Sequence, residues 1–106
     1  MDSVIGDAFV LAGLIGYQNG SVVSKELIRR EKGSITLFAF DKEQGLSEHT
    51  APFDAFVYVL DGTVEITIAG CPKILKAAEA VIMPANKPHS LRAIEKFKML
   101  LVMIKS

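Results

Sequence analysis

The sequence predicts an all-β domain closed as a sandwich or barrel, and three observations carry that reading. Beyond residue 33 the chain runs in short apolar or alternating segments, the period of strands and not of helices. Turn residues punctuate these segments closely enough to give eight or more short strands, and closure or double-sheet packing removes the edges they would otherwise expose. At 106 residues, half of them apolar, the chain is sized for one hydrophobic core. We therefore read residues 1–106 as one domain, with an N-terminal arm over 1–20 and a barrel over 21–106.

The elements follow in order. Residues 1–20 are ambiguous and read as an edge strand and one helical turn ending near Asn19-Gly20. Residues 24–32 (SKELIRREK) have a helix-friendly composition, with Glu26 and Arg30 four apart. Strand is favoured there, because Val22-Val23 lead in and Lys32-Gly33 closes a hairpin onto residues 34–40 (SITLFAF). A strand over 53–60 (FDAFVYVL) reaches Asp61-Gly62, read as a hairpin turn into 63–68 (TVEITI). Alternation in that segment puts Val64, Ile66 and Ile68 on one face and Thr63, Glu65 and Thr67 on the other. Ala69-Gly70-Cys71-Pro72 reads as a second reversal, followed by strands over 73–76 and 80–83. Pro84 ends the latter, since proline cannot donate to a ladder. Strands over 88–93 and 97–104 complete the set, and the last, apolar on both faces, is expected to be covered on both.

Charge and cysteine content narrow the function classes. Twelve acidic and twelve basic side chains give a formal net charge of zero, so the basic stripe that nucleic acid or an anionic membrane surface requires is missing. Cys71 is the only cysteine, which excludes an intramolecular disulfide and a thiolate zinc cluster and suits a reducing compartment. The apolar stretch 8–15 follows Asp2 and Asp7, where a signal peptide needs positive charge. No segment approaches the ~18–20 apolar residues of a membrane span. A cytoplasmic protein is expected.

Two segments carry a resemblance. Residues 45–62, GLSEHTAPFDAFVYVLDG, resemble the first conserved motif of the cupin superfamily: glycine, five residues, His-x-His, three or four residues, glutamate, six residues, glycine. Gly45 and Gly62 are in place. Counting back from Gly62, His49 takes the first histidine position, ahead of a strict match from Gly45, with Ala51 at the second and Ala55 at that of the glutamate. Residues 78–93, AEAVIMPANKPHSLRA, resemble the second motif: glycine, five residues, Pro-x-Gly, two residues, histidine, three residues, asparagine. Pro84 and His89 match, while Ala78, Asn86 and Ala93 replace its two glycines and its asparagine. The resemblance covers roughly the C-terminal two-thirds of the chain, and EHTAPFDA is similar to a group of small single-domain cupins. It implies a double-stranded β-helix, or jelly-roll, barrel, and a homodimer, which a neutral surface with little self-repulsion permits.

In that family three histidines and a glutamate converge on a divalent metal inside the barrel. Here His49 and His89, the only histidines in the chain, remain as metal candidates. Without the carboxylate an ion keeps its full charge in a low-dielectric cavity, so zinc, nickel, iron or manganese is expected to bind weakly at most. Glu48 and Asp54 are expected to point away, because neighbours on a strand face opposite sides unless a bulge intervenes. Two hydrogen-bonded histidines at a barrel mouth, with no metal, are the plainer alternative. The alanines are expected to leave a larger, more apolar pocket, with His49, Ala51, Ala55, Val57, Met83 and His89 as its residues. Met99, Val59 and Phe38 or Phe40 are further candidates, the phenylalanines being read as core. The leading function is a small organic ligand bound in the barrel beside a degenerate metal site. The alternative is a metal-dependent enzyme of dioxygenase or isomerase type, using His49 and His89 with water and substrate ligands, and a third reading is a purely structural role through the dimer surface. Tyr58 is expected to face outward, Cys71 to be an exposed spectator, and Ala78 to cost ~1 kcal/mol if its turn needs positive φ.

Overall fold

A computed structural model describes residues 4–105. Nine strands run through them: β1 (Val22–Arg30), β2 (Gly33–Phe40), β3 (Gly45–His49), β4 (Asp54–Asp61), β5 (Thr63–Ile68), β6 (Cys71–Lys76), β7 (Ala80–Met83), β8 (His89–Ala93) and β9 (Phe97–Ile104). One sheet has the order β1-β2-β9-β4-β7, the other β3-β8-β5-β6. The antiparallel pairs nest: β5 with β6, β4 with β7, β3 with β8, β2 with β9. A ribbon doubled back at the β5–β6 turn has thus been wound so that its successive segments alternate between sheets. Lateral pairs β4–β9 and β5–β8 then join neighbouring windings.

Period-2 patterning fills the space between the sheets. Phe40, Val57, Val59, Val64, Ile66, Ala93 and Phe97 are wholly buried there, and the rings of Phe40 and Phe97 stack at 4.5 Å between centroids. Burying each of these valine, isoleucine and phenylalanine side chains is worth about 1.5–3 kcal/mol, which is what holds the two sheets together. On the outer face of the five-stranded sheet, a 3-10 turn at Leu11–Leu14 and Ile15 pack over Leu37, Ala39 and Leu100. The apolar outer face of β9 is thus covered at Leu100, as expected from its sequence, while Ile104 stays exposed. Polar ties hold the arm down: Lys98 Nζ donates to the Ala12 carbonyl (2.7 Å), and the Tyr17 hydroxyl donates to Asp61 Oδ2 (2.5 Å). Burial and the neighbouring Asp61 carboxylate both raise the Tyr17 pKa, so the phenol keeps its proton for that bond.

Several sequence expectations need correction. Asp61-Gly62 is not a hairpin turn, because β4 and β5 lie in different sheets; it is a corner. Gly62, at φ +82, passes so close to β9 that a Cβ there would lie 1.9 Å from the Lys96 carbonyl oxygen, so only glycine makes the crossing. The second reversal is tighter than expected. Ala69 and Gly70 alone turn the chain, both at positive φ, and Cys71 and Pro72 already belong to β6, an edge strand that tolerates proline. Cys71 is exposed, as expected. β1 is a strand as favoured, though a bulge between Glu26 and Ile28 brings Glu26 to Arg29 (2.9 Å) and not to Arg30. Residues 4–20 contain the 3-10 turn but no strand, and the turn ends well before Asn19-Gly20; residues 1–3 lie outside the described residues. Among the described residues no helix is long and apolar enough to cross a membrane.

Candidate functional site

The site forms where the third winding of the ribbon meets itself. His49 ends β3, His89 begins β8, and the two are cross-strand partners. A bulge on β3 makes this possible. Leu46 pairs with Leu91 and His49 with His89, so three steps along β3 match two along β8. Without the extra residue His49 would face opposite to Leu46; with it, both line the interior. Glu48 stays exposed, and Asp54 turns away to accept the Ala85 amide at Oδ1 (2.8 Å), so neither carboxylate joins the histidines. Gly45 is fixed by the same pairing, since a Cβ there would lie 2.0 Å from the Leu91 carbonyl oxygen.

The two rings meet edge to face, with Nε2 atoms 3.2 Å apart. Each Nδ1 faces a backbone carbonyl, His49 that of Ser47 at 2.8 Å and His89 that of Lys87 at 3.2 Å. A carbonyl only accepts, so both Nδ1 atoms carry a proton, and in the neutral form of each ring Nε2 is the acceptor that faces the other ring. His89 is buried and His49 exposed. Burial first, and then the nearby His49, lower the His89 pKa, against a smaller opposing effect of the Lys87 carbonyl. Burial thus favours neutral His89, and with both rings neutral the pair is two acceptors that lack a donor between them.

Behind the histidines is a cavity of about 60 Å3, lined by Leu46, Ala51, Ala55, Met83, Met99 and Met103 among others. It is apolar, but it is smaller than the expected pocket. Three methionines, with Leu46, Leu91 and Leu101, close in on the space that liganding side chains would occupy, as flexible thioethers do in irregular gaps. Val57 does not line it. With Val59 and Phe40 it is buried in the main core, and Phe38 packs against that core. Tyr58 is half-buried, in register with Ala80 and Leu100 on the outer face of the sheet. Leu91, Leu101 and Met103 went unread as lining residues, although alternation along β8 and β9 puts them on the face of His89 and Met99; Leu46, on bulged β3, gave no such signal. At the mouth, Asn86 N donates to the Ala51 carbonyl (2.8 Å), which joins the loops before β4 and β8.

A sequence model of the cupin domain matches residues 36–105. The chain belongs to the cupin superfamily. Among solved structures, this cupin is similar to a conserved protein of unknown function from Streptococcus pyogenes, at 35% identity and TM-score 0.91, over 95% of this chain and 89% of that one. It is also similar to a cupin 2 conserved barrel domain protein from Leptotrichia buccalis, at 42% identity and TM-score 0.89, over 92% of this chain and 47% of the other, whose length it therefore spans by about half. A cupin superfamily protein from Desulfitobacterium hafniense DCB-2 gives 27% identity and TM-score 0.90 over 95% and 93%. No curated protein matches the chain.

The cupin metal can be tested against these residues. Two nitrogens bound to a tetrahedral zinc at ~2.0–2.1 Å lie about 3.3–3.4 Å apart, and the histidine pair comes close to that at 3.2 Å. Backbone carbonyls on both Nδ1 atoms also orient the rings as a ligand's outer shell does. The fit stops at two donors. Among the described residues no group of three or more His, Cys, Asp or Glu side chains is arranged around an ion, and Ala51 and Ala55 stand where the family has donors.

Proposed function

We propose that this cupin binds a small organic molecule at the barrel mouth, with a hydrogen-bond donor between His49 and His89 and a small apolar group in the cavity behind them. The observation that carries this is the pair of facing Nε2 atoms, 3.2 Å apart, at the edge of an apolar space. A hydroxyl of an alcohol, phenol or sugar, or the O–H of an un-ionised acid, supplies the missing donor. A cavity of about 60 Å3 admits only a few atoms, well below the ~300–1,000 Å3 of sites that enclose drug-sized ligands. The remainder of a ligand therefore extends outward past exposed His49.

Titration calorimetry against panels of phenols, sugars and small acids tests the reading. A hit is expected to be lost in His49→Ala and in Ala51→Leu, which fills the cavity from its rim while leaving both imidazoles. Binding that survives both changes removes the proposal.

One observation favours a second reading, the near-match of the Nε2 separation to two positions on a metal ion. In that reading His49 and His89 are protein ligands, with water and substrate oxygens as the rest, and the protein is a metal-dependent enzyme. Stoichiometric iron, manganese, nickel or zinc in protein purified without added metal, absent from the His49→Ala/His89→Ala variant, would replace the first reading with this one.

We propose a homodimer as well, through a sheet face and not an edge, since β9 is paired on both sides by β2 and β4. Ile28, Ile35, Val102, Phe56 and Ile82 stand in register across all five strands of the larger sheet. The row spans about 19 Å and lies beside the area that the arm covers. Its margins differ in charge, with Lys25 on β1 and Glu79 just before β7. A two-fold axis along the strands therefore brings opposite charges together, as an isologous contact requires.

A further inference from the structure

A second hollow, of about 240 Å3, opens beside the histidine cavity and shares Met103 with it as a wall. Its other lining residues come from the ends of three strands and the loop before β4: Arg29, Arg30, Ser34, Phe53 and Lys105. In a chain of zero net charge, three cations are thus gathered around one small space.

Their fixed partners leave that charge largely uncompensated. Arg29 Nε is held by Glu26 Oε2 at 2.9 Å, which leaves the outer nitrogens of its guanidinium without an ion pair. Arg30 Nη1 donates to the Arg29 carbonyl at 2.8 Å, a contact that orients the group without neutralising it. Lys105 Nζ lies 5.3 Å from the centre of the Phe53 ring. Among the described residues neither Arg30 nor Lys105 takes part in an ion pair. Like charges around a hollow repel one another and raise the potential inside it, and an anion relieves both effects. Guanidinium groups bind carboxylate and phosphate through parallel N–H donors, and a lysine adds a mobile point charge. Phe53 and Met103 add apolar surface, and Ser34 a hydroxyl.

We propose that this hollow is a binding site for small organic oxyanions. A carboxylate or phosphate head is held by Arg29, Arg30 and Lys105, and a flat or short apolar body lies against Phe53 and Met103. The volume suits a molecule of about one ring, below the range that encloses drug-sized ligands. The site does not depend on what the histidine cavity binds.

The probes are benzoate, phenyl phosphate and the uncharged benzyl alcohol, titrated calorimetrically into the full chain at low and high ionic strength. At least one of the two anions is expected to bind, with affinity falling as salt rises, and the stronger of the two identifies the head group. Binding is expected to weaken by about ten-fold in Arg30→Gln and again in Lys105→Gln, the size of a lost charge-assisted hydrogen bond. His49→Ala/His89→Ala is expected to bind the anion as the parent does, which separates this site from the histidine cavity. The amide signals of Ser34 and Phe53 are expected to shift in nitrogen-proton spectra during the titration. Equal binding of benzyl alcohol and the anions in the His49→Ala/His89→Ala variant, unchanged anion affinity in the Arg30→Gln/Lys105→Gln variant, or no binding of either anion overturns the proposal.

Discussion

His89 shows how one side chain couples the site to the stability of the fold. Its imidazole is buried against His49, and both effects favour the neutral form, so its pKa falls below the ordinary value of 6.5. In the unfolded chain the ring titrates near that ordinary value. Between the two values the unfolded state binds more protons than the folded one, and stability therefore rises with pH across this window and is lost as pH falls through it. The urea midpoint is expected to drop between pH 7.5 and pH 5.5, and the dependence to flatten in His89→Gln. A midpoint that stays level in the parent would mean that protons reach the pair without cost. Bound ligand donating to Nε2 is expected to deepen the dependence, because protonation of either ring removes an acceptor that the ligand uses.

At the scale of elements, turn chemistry decides where the sequence is strained and where it was legible. Ala78 sits between β6 and β7 at φ +74, where the second cupin motif has glycine. A left-handed conformation costs an L-residue about 1–2 kcal/mol, so Ala78→Gly is expected to stabilise the protein by about 1 kcal/mol once the extra chain entropy of glycine is subtracted. Thermal or urea unfolding measures this, and a destabilised variant would show that the turn is held by more than its backbone angles. Asn86, at φ +66, fills its motif glycine's position with the residue that tolerates it best. These substitutions were readable because glycine, asparagine and alanine differ in a single torsional preference. The alternating segments TVEITI and FDAFVYVL were readable for a similar reason, each having one face inside the barrel. β3 was not. It is short, mostly exposed and bulged, so GLSEH carries no alternation to read, although it positions His49. The corner at Gly62 was misread because an Asp-Gly pair between strands signals a hairpin locally, and only the approach of Lys96 and Phe97 shows that the chain changes sheet. The size of the cavity was equally hidden. Deleting two ligands from a motif removes volume on paper, but Met99 and Met103 come from β9, which neither motif describes.

At the scale of the whole molecule, the outer face of the five-stranded sheet is divided between the arm and solvent. Leu11, Leu14 and Ile15 cover Leu37, Ala39 and Leu100, while Ile82, at the end of the apolar row, is 62% exposed. Light scattering is expected to give twice the 11.5 kDa chain mass, and Val102→Lys or Phe56→Lys to return the monomer with its histidine cavity intact. A parent that stays monomeric at concentrations near 100 times a typical micromolar dissociation constant, roughly 8 kcal/mol of association free energy, rules out the face as a dimer contact.

The nested winding also sets an order of assembly. The turn at Ala69-Gly70 is the one place where the ribbon's two halves are near in sequence, and each further pair closes a longer loop, β4 with β7, then β3 with β8, then β2 with β9. His49 and His89 are 40 residues apart. They become neighbours only when the third of these four pairings forms, after most of the loop-closure entropy has been spent. Fraying that opens β3 from β8 therefore erases the site while the inner hairpins survive, so the histidine pair is a late-arriving reporter of a fully wound chain.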